Sequence, residues 1–181
     1  MEKIEFLILR NLLNNEKYVR KVIPFIKSEY FEDANQKVIF EEILKFVQEY
    51  NQPATKEVLC IEVEKRQDIN DTSFREITQV ISYLDDQPSE FNWLVDTTEK
   101  WCRDRAIYLA LMESIHIADG KDQKKNRDSI PSILSDALAV SFDTHIGHDY
   151  LLDYEERYES YHRKEEKIEF DLEYFNKITK G

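Results

Sequence analysis

Apolar side chains recur along this chain at intervals of three and four residues, and short polar clusters interrupt them at the spacing of helices and their turns. Ile4, Leu7, Ile8 and Leu12 make the first stripe and predict a helix from about residue 2 to residue 13, closed by Asn14 and Asn15. Tyr18, Val19, Val22 and Ile23 predict a second, shorter helix. Pro24 limits it, since proline offers no N–H and its ring crowds the preceding turn. Asp33 and Gln36 have the spacing of a capping box ahead of Val38, Phe40, Ile43, Leu44 and Val47, and Asn51-Gln52-Pro53 closes that helix. Thr55 is the expected N-cap for Val58, Leu59 and Val63. Ser73 with Glu76 repeats the capping-box spacing before Ile77, Val80, Ile81 and Leu84, and Asp85-Asp86-Gln87-Pro88 ends the helix.

The longest periodic stretch follows. Ser89 is expected to open a helix reaching about residue 118, with Leu94, Thr98, Trp101, Tyr108, Met112 and Ile115 along it. Residues 120–128 form a polar turn, after which Ser129 caps and Pro131 sits in the first turn of a shorter helix. A long helix, a polar turn and a short helix read together as an antiparallel hairpin. Such a hairpin cannot bury both faces on one small globule, and an exposed apolar face would be an oligomerisation surface. Trp101, Tyr108, Met112, Ile133, Leu134 and Leu138 are its expected residues.

Past the hairpin, Asp143, Gly147 and His148 lie in a short polar stretch with the look of a hinge. Leu151, Tyr154, Tyr158 and Tyr161 then follow at i, i+3, i+7 and i+10, a stripe that an isolated helix could not bury. Tyrosine suits such a docking face, offering a large contact area with a polar tip. A strand-like run, Lys167-Ile168-Glu169-Phe170, leads to the closing Gly181 and reads as the opening of another domain. The expectation is therefore an all-α fold in four parts: a helical globule over residues 1–88, an antiparallel helical hairpin over 89–142, a hinge and linker helix over 143–166, and a short extended tail over 167–181.

Composition fits this picture. The 181 residues are 41% hydrophobic and 34% charged, with only 3 Gly and 4 Pro, which argues against a sheet with many tight turns. Folding a chain of this length buries roughly 70% of its unfolded surface, enough for a real core. The net charge of -12 has the wrong sign for gripping a nucleic-acid backbone over the whole surface. A local basic patch at Lys121, Lys124, Lys125 and Arg127 is the candidate for touching a phosphate or an acidic partner, against a solvated loop. Cys60 and Cys102 lack metal-type spacing and read as buried or half-buried free thiols of a reducing compartment. No stretch approaches the ~20 apolar residues of a membrane span, and Arg10 breaks the apolar start too early for a signal peptide.

Catalytic chemistry finds little support. His145 and His148 beside Asp143 and Asp149 lack a third ligand at fixed geometry for a metal. The pairs Asp85-Asp86 and Glu155-Glu156 read as solvated helix ends, and Trp93 and Trp101 as packing residues in place of base-stacking platforms. No GxxxxGK[ST] pattern occurs in the chain, so it offers no cradle for ATP phosphates and is not expected to be an enzyme by itself.

Several segments resemble a known family. The turn Ser28-Glu29-Tyr30-Phe31-Glu32 and the helix start Pro53-Ala54-Thr55 resemble the N-terminal domain of DnaB-like replicative helicases. So do Asn92-Trp93-Leu94-Val95, Glu99-Lys100 and Arg105-Ala106. The likeness is sharpest over Ser141-Phe142-Asp143, Gly147-His148-Asp149, Asp153-Tyr154-Glu155 and Asn176-Lys177-Ile178-Thr179-Lys180-Gly181, where it is similar to the T-even bacteriophage branch. The resemblance implies N-terminal domains that pair through helical hairpins and form a collar on a six-subunit ring. It implies a linker helix docked on the motor domain of the neighbouring subunit, a primase partner, and the cytoplasm of an infected bacterial host. It places ATP, Mg and single-stranded DNA with a RecA-like motor that follows the Lys-Gly end, the whole protein unwinding DNA 5′ to 3′. None of these cofactors is expected in the chain itself. Two other readings fit the same residues: an acidic helical phage protein that mimics DNA or inhibits a host factor, and a stand-alone primase or loader adaptor.

Overall fold

The computed structural model describes residues 3–85, 89–121, 125–142 and 158. By its contacts the chain divides into two compact units, Met1–Phe142 and Asp143–Gly181. The expected hinge residues Asp143, Gly147 and His148, the docking residues Leu151, Tyr154 and Tyr161, and the tail from Lys167 lie outside the described residues. Tyr158 is described, as a helical and exposed residue.

Among the described residues the fold is all-α. The first unit holds α1 (Ile4–Asn14), α2 (Glu16–Val22), α3 (Ala34–Tyr50), α4 (Lys56–Glu64), α5 (Asp71–Ser82), α6 (Phe91–Ala118) and α7 (Ile130–Leu138). Two 3₁₀ turns, Ser28–Tyr30 and Arg127–Ser129, precede α3 and α7.

The helix starts show which local signals carried through. Asp33 accepts from the backbone N–H of Asn35 and Gln36 at the head of α3. Only half of the expected capping box forms there, because the Gln36 Oε1 is buried without a hydrogen-bond partner. Thr55 caps α4 as expected, accepting from Val58 N–H. At α5 the expected Ser73 cap is replaced by Asn70, whose side chain accepts the Ser73 N–H at 2.8 Å. The helix thereby gains its first three residues. At α6 Glu90 caps in place of Ser89, its carboxylate accepting the N–H of both Asn92 and Trp93. The Ser89 hydroxyl instead accepts from Asn11 on α1 at 3.3 Å. Ser129 precedes α7 without capping it; its hydroxyl donates to the Asn126 carbonyl at 2.6 Å. Asn51 ends α3 in the left-handed region at φ 54°, a conformation that asparagine tolerates.

The core gathers Ile8, Leu9 and Leu12 of α1, Tyr18 and Val22 of α2, Ile39, Phe40 and Ile43 of α3, and Leu59, Ile77 and Ile81 of α4 and α5. Each such side chain contributes about 2 kcal/mol by leaving water. An aromatic knot joins it to α6. Phe31 lies 5.1 Å from both Phe40 and Trp101, and Tyr30 meets Trp101 edge-on at 6.0 Å. Phe25 stacks on Phe142 at 4.7 Å, which ties the end of the first unit to the chain beyond α2. Arg66 clips α3 to the end of α4, donating to Glu41 and to the buried Glu42, both at 3.0 Å.

Helix α6 changes the face that it buries. Its first half covers Leu94, Thr98, Trp101 and Cys102, packed with α1, α2 and the Ser28–Tyr30 turn. Its second half buries Ala106, Ala110, Ser114 and Ile117, and its most extensive partner is α7. Small residues at four-residue spacing let α7 lie close, so the hairpin forms as expected.

Candidate self-association face of the hairpin

Past Arg105, α6 turns a row of apolar side chains to solvent: Tyr108 is 52% exposed, Leu111 48%, Met112 41% and Ile115 54%. Spacings of three and four residues place them along one side of the helix. Tyr108, Met112 and Ile115 prolong the line of Leu94, Thr98 and Trp101, which is buried further back. Beyond Arg105 the residues of that line are exposed, so the same periodicity that builds the core ends as an open face. Leu138, the last residue of α7, is also exposed, at 65%.

The hairpin that carries this row is fastened at both ends. Arg103 donates to the Val140 carbonyl at 3.1 Å and to Glu99 at 2.9 Å, and Glu99 accepts from Ser141 at 3.1 Å. These bonds hold the chain leaving α7 against α6. At the far end Arg127 donates to the Ala118 carbonyl at 2.9 Å, and Lys125 pairs with Glu113. Arg105 anchors the middle, donating through Nε to the Tyr30 carbonyl at 2.7 Å and through Nη1 to Glu32 at 2.5 Å. A cleft of about 260 Å³ opens beside the hairpin, lined among others by Tyr30, Leu109, Glu113 and Ile133.

The residues expected on the oligomer face separate into three groups. Tyr108, Met112 and Leu138 are exposed. Ile133 and Leu134 are half-buried and pack against the core. Trp101 corrects the expectation: it is 9% exposed and held between Tyr30 and Phe31, so it serves the core and is unavailable to a partner. Trp93 departs the other way, standing 54% exposed on the first turns of α6 where a packing residue was expected. Leu111 and Ile115 were missing from the expected face; their signal is the continuation of helical spacing past the last globule contact.

The candidate basic patch is largely paired. Lys121 meets Asp119 at 2.9 Å, and Lys125 and Arg127 are engaged as above; Lys124 lies outside the described residues. Among the described residues no group of three or more His, Cys, Asp or Glu side chains could hold a metal ion. No helix among them is long and apolar enough to cross a membrane.

Titratable groups behind the hairpin are shifted by burial. The Cys102 thiol is pushed up to about 12, first by desolvation and then by Glu99. Tyr30 is likewise raised to about 12, mainly by desolvation. Tyr18 is raised further, mainly by burial; its hydroxyl lies 2.6 Å from that of Thr98. A thiol held neutral in this way is a packing group and no nucleophile. Cys60 is half-buried and free, as expected.

No protein-family model matches the chain. The chain is similar to the "DnaB-like replicative helicase" of Enterobacteria phage T4, with 37% identity over 183 aligned residues. The alignment takes in 97% of this chain and 38% of that protein, so the chain spans little more than a third of its relative's length. An alignment that takes in nearly the whole chain agrees with a resemblance drawn from segments spread along it. By sequence, the chain is a relative of the DnaB-like replicative helicases.

Proposed function

We propose that this chain is the assembly portion of a DnaB-like replicative helicase, and that two copies pair through the open face of the α6–α7 hairpin. The row Tyr108, Leu111, Met112 and Ile115 is the observation that carries the reading. A net charge of -12 opposes the meeting of two identical chains. The row itself holds no charged residue, so copies related by a two-fold axis can join there without bringing carboxylates face to face. Pairs formed in this way would build a collar on a hexameric ring.

The rest of the reading is proposed from the family resemblance, which the likeness to the phage T4 "DnaB-like replicative helicase" supports. The longer protein unwinds DNA with ATP and Mg, and its motor grips single-stranded DNA. The hinge around Asp143, Gly147 and His148 separates collar and motor, and the helix bearing Leu151, Tyr154, Tyr158 and Tyr161 docks on the motor of the neighbouring subunit. Primase binds the collar, and the assembly works in the cytoplasm of the infected host.

Light scattering behind size exclusion, on the 181-residue chain over a concentration series, tests the pairing. A dimer or hexamer is expected, reduced to monomer by Met112→Glu or Ile115→Glu with unchanged circular dichroism. A monomer at every concentration, or substitutions without effect on mass, would overturn it.

A further inference from the structure

We propose that Arg105 is the positioning residue of the hairpin face, holding Tyr108 in the pose in which a second copy meets it. The proposal rests on the pairing described above and deepens it, naming the anchor of the interface and what fixes it.

The Arg105 side chain is only 14% exposed, and a charge so nearly buried must have its donors met. Two of its five donors are met within the protein, Nε by the Tyr30 carbonyl and Nη1 by the Glu32 carboxylate. Both acceptors belong to the Ser28–Glu32 stretch, and Tyr30 itself packs edge-on against the buried Trp101. The guanidinium is thus held by a backbone carbonyl beside the core and by a carboxylate that is itself exposed. Its central carbon lies over the Tyr108 ring, 5.0 Å from the ring centroid. Attraction between the cation and the ring's electron-rich face holds the ring there. The ring remains 52% exposed.

A large aromatic, half exposed and immobilised before binding, is the kind of side chain that dominates interfaces, because its ordering cost has been met in the free protein. Met112 and Ile115 have no such clamp in the structure's hydrogen-bond and ring contacts. Arginine is needed for this role. A lysine could reach one acceptor, but its point charge lacks the flat fork that binds in plane and stacks out of plane.

A double-mutant cycle on the association constant tests the assignment. Tyr108→Ala is expected to weaken pairing roughly 30-fold, and Arg105→Gln about tenfold. In the Tyr108→Ala background Arg105→Gln should change pairing less than about twofold. Arg105→Lys should fall between Arg105→Gln and the parent. Effects that simply multiply would make Arg105 a structural residue and overturn the proposal. A second measurement does not depend on pairing: side-chain couplings of Tyr108 by NMR, in the Met112→Glu chain. One χ1 rotamer is expected there, and rotamer averaging after Arg105→Gln; an unchanged rotamer would overturn the proposal. Failure of Met112→Glu to alter the mass would instead sink the pairing reading, leaving the rotamer result to decide what Arg105 does.

Discussion

The contact between Tyr18 and Thr98 shows how one buried hydroxyl pair decides the seat of a helix. Thr98 spends its only proton on the Leu94 carbonyl at 2.7 Å, so Tyr18 must donate across the 2.6 Å contact. Thr98→Val should therefore cost about 1–3 kcal/mol by leaving a buried phenol unpaired, and Tyr18→Phe about 1 kcal/mol. The double variant should lose less than the two single losses together, as urea unfolding can measure. Burial also sets the response to alkali. The thiol of Cys102 ionises from 9.0 when unfolded but near 12 when folded, and the Tyr30 phenol from 10.0 and near 12. Both groups keep their protons more tightly in the fold, so their contribution is complete below pH 9 and is lost as pH rises toward 12. Unfolding midpoints in urea should fall from pH 9 upward, and Cys102→Ala should flatten the first part of that fall, where the phenol is still protonated in both states.

At the scale of elements, spacing alone found all seven helices in the described residues, because each carries an apolar stripe and a polar stop. The exact starts were less readable. Ser73 with Glu76 matched a capping box in sequence, yet Asn70 captures the Ser73 N–H first and starts the helix earlier. Asn70→Ala should cost about 1 kcal/mol and Ser73→Ala close to nothing, as thermal melts of the two variants will show. Equal losses would return the cap to Ser73. Ser89 lost its expected role to Glu90 for a tertiary reason: Asn11 of α1 engages its hydroxyl. Helix α6 was the hardest to read. The line of Leu94, Thr98 and Trp101 resumes past Arg105 at Tyr108, but in the second half α7 packs on the Ala106, Ala110 and Ser114 side instead. Trp101 therefore enters the core, whereas Met112, on the same line, is left outside.

For the whole molecule, pairing through that open line makes stability depend on concentration, since association draws on the folded state alone. The melting temperature of the chain should rise with protein concentration and should stop rising after Met112→Glu. A melting temperature independent of concentration in the parent chain would count against the paired state. The sequence by itself determined the all-α class, the hairpin, the half-buried and buried thiols and the kinship with DnaB-like helicases, because these depend on local spacing and on an ordered set of short segments. Only the tertiary structure decided which apolar residues are core and which are surface. Helical periodicity reports that a side is apolar; what covers it depends on where a neighbouring element ends. The clamp of Arg105 on Tyr108 belongs to the same class, since the carbonyl and carboxylate that orient the guanidinium lie more than seventy residues away in sequence, at Tyr30 and Glu32.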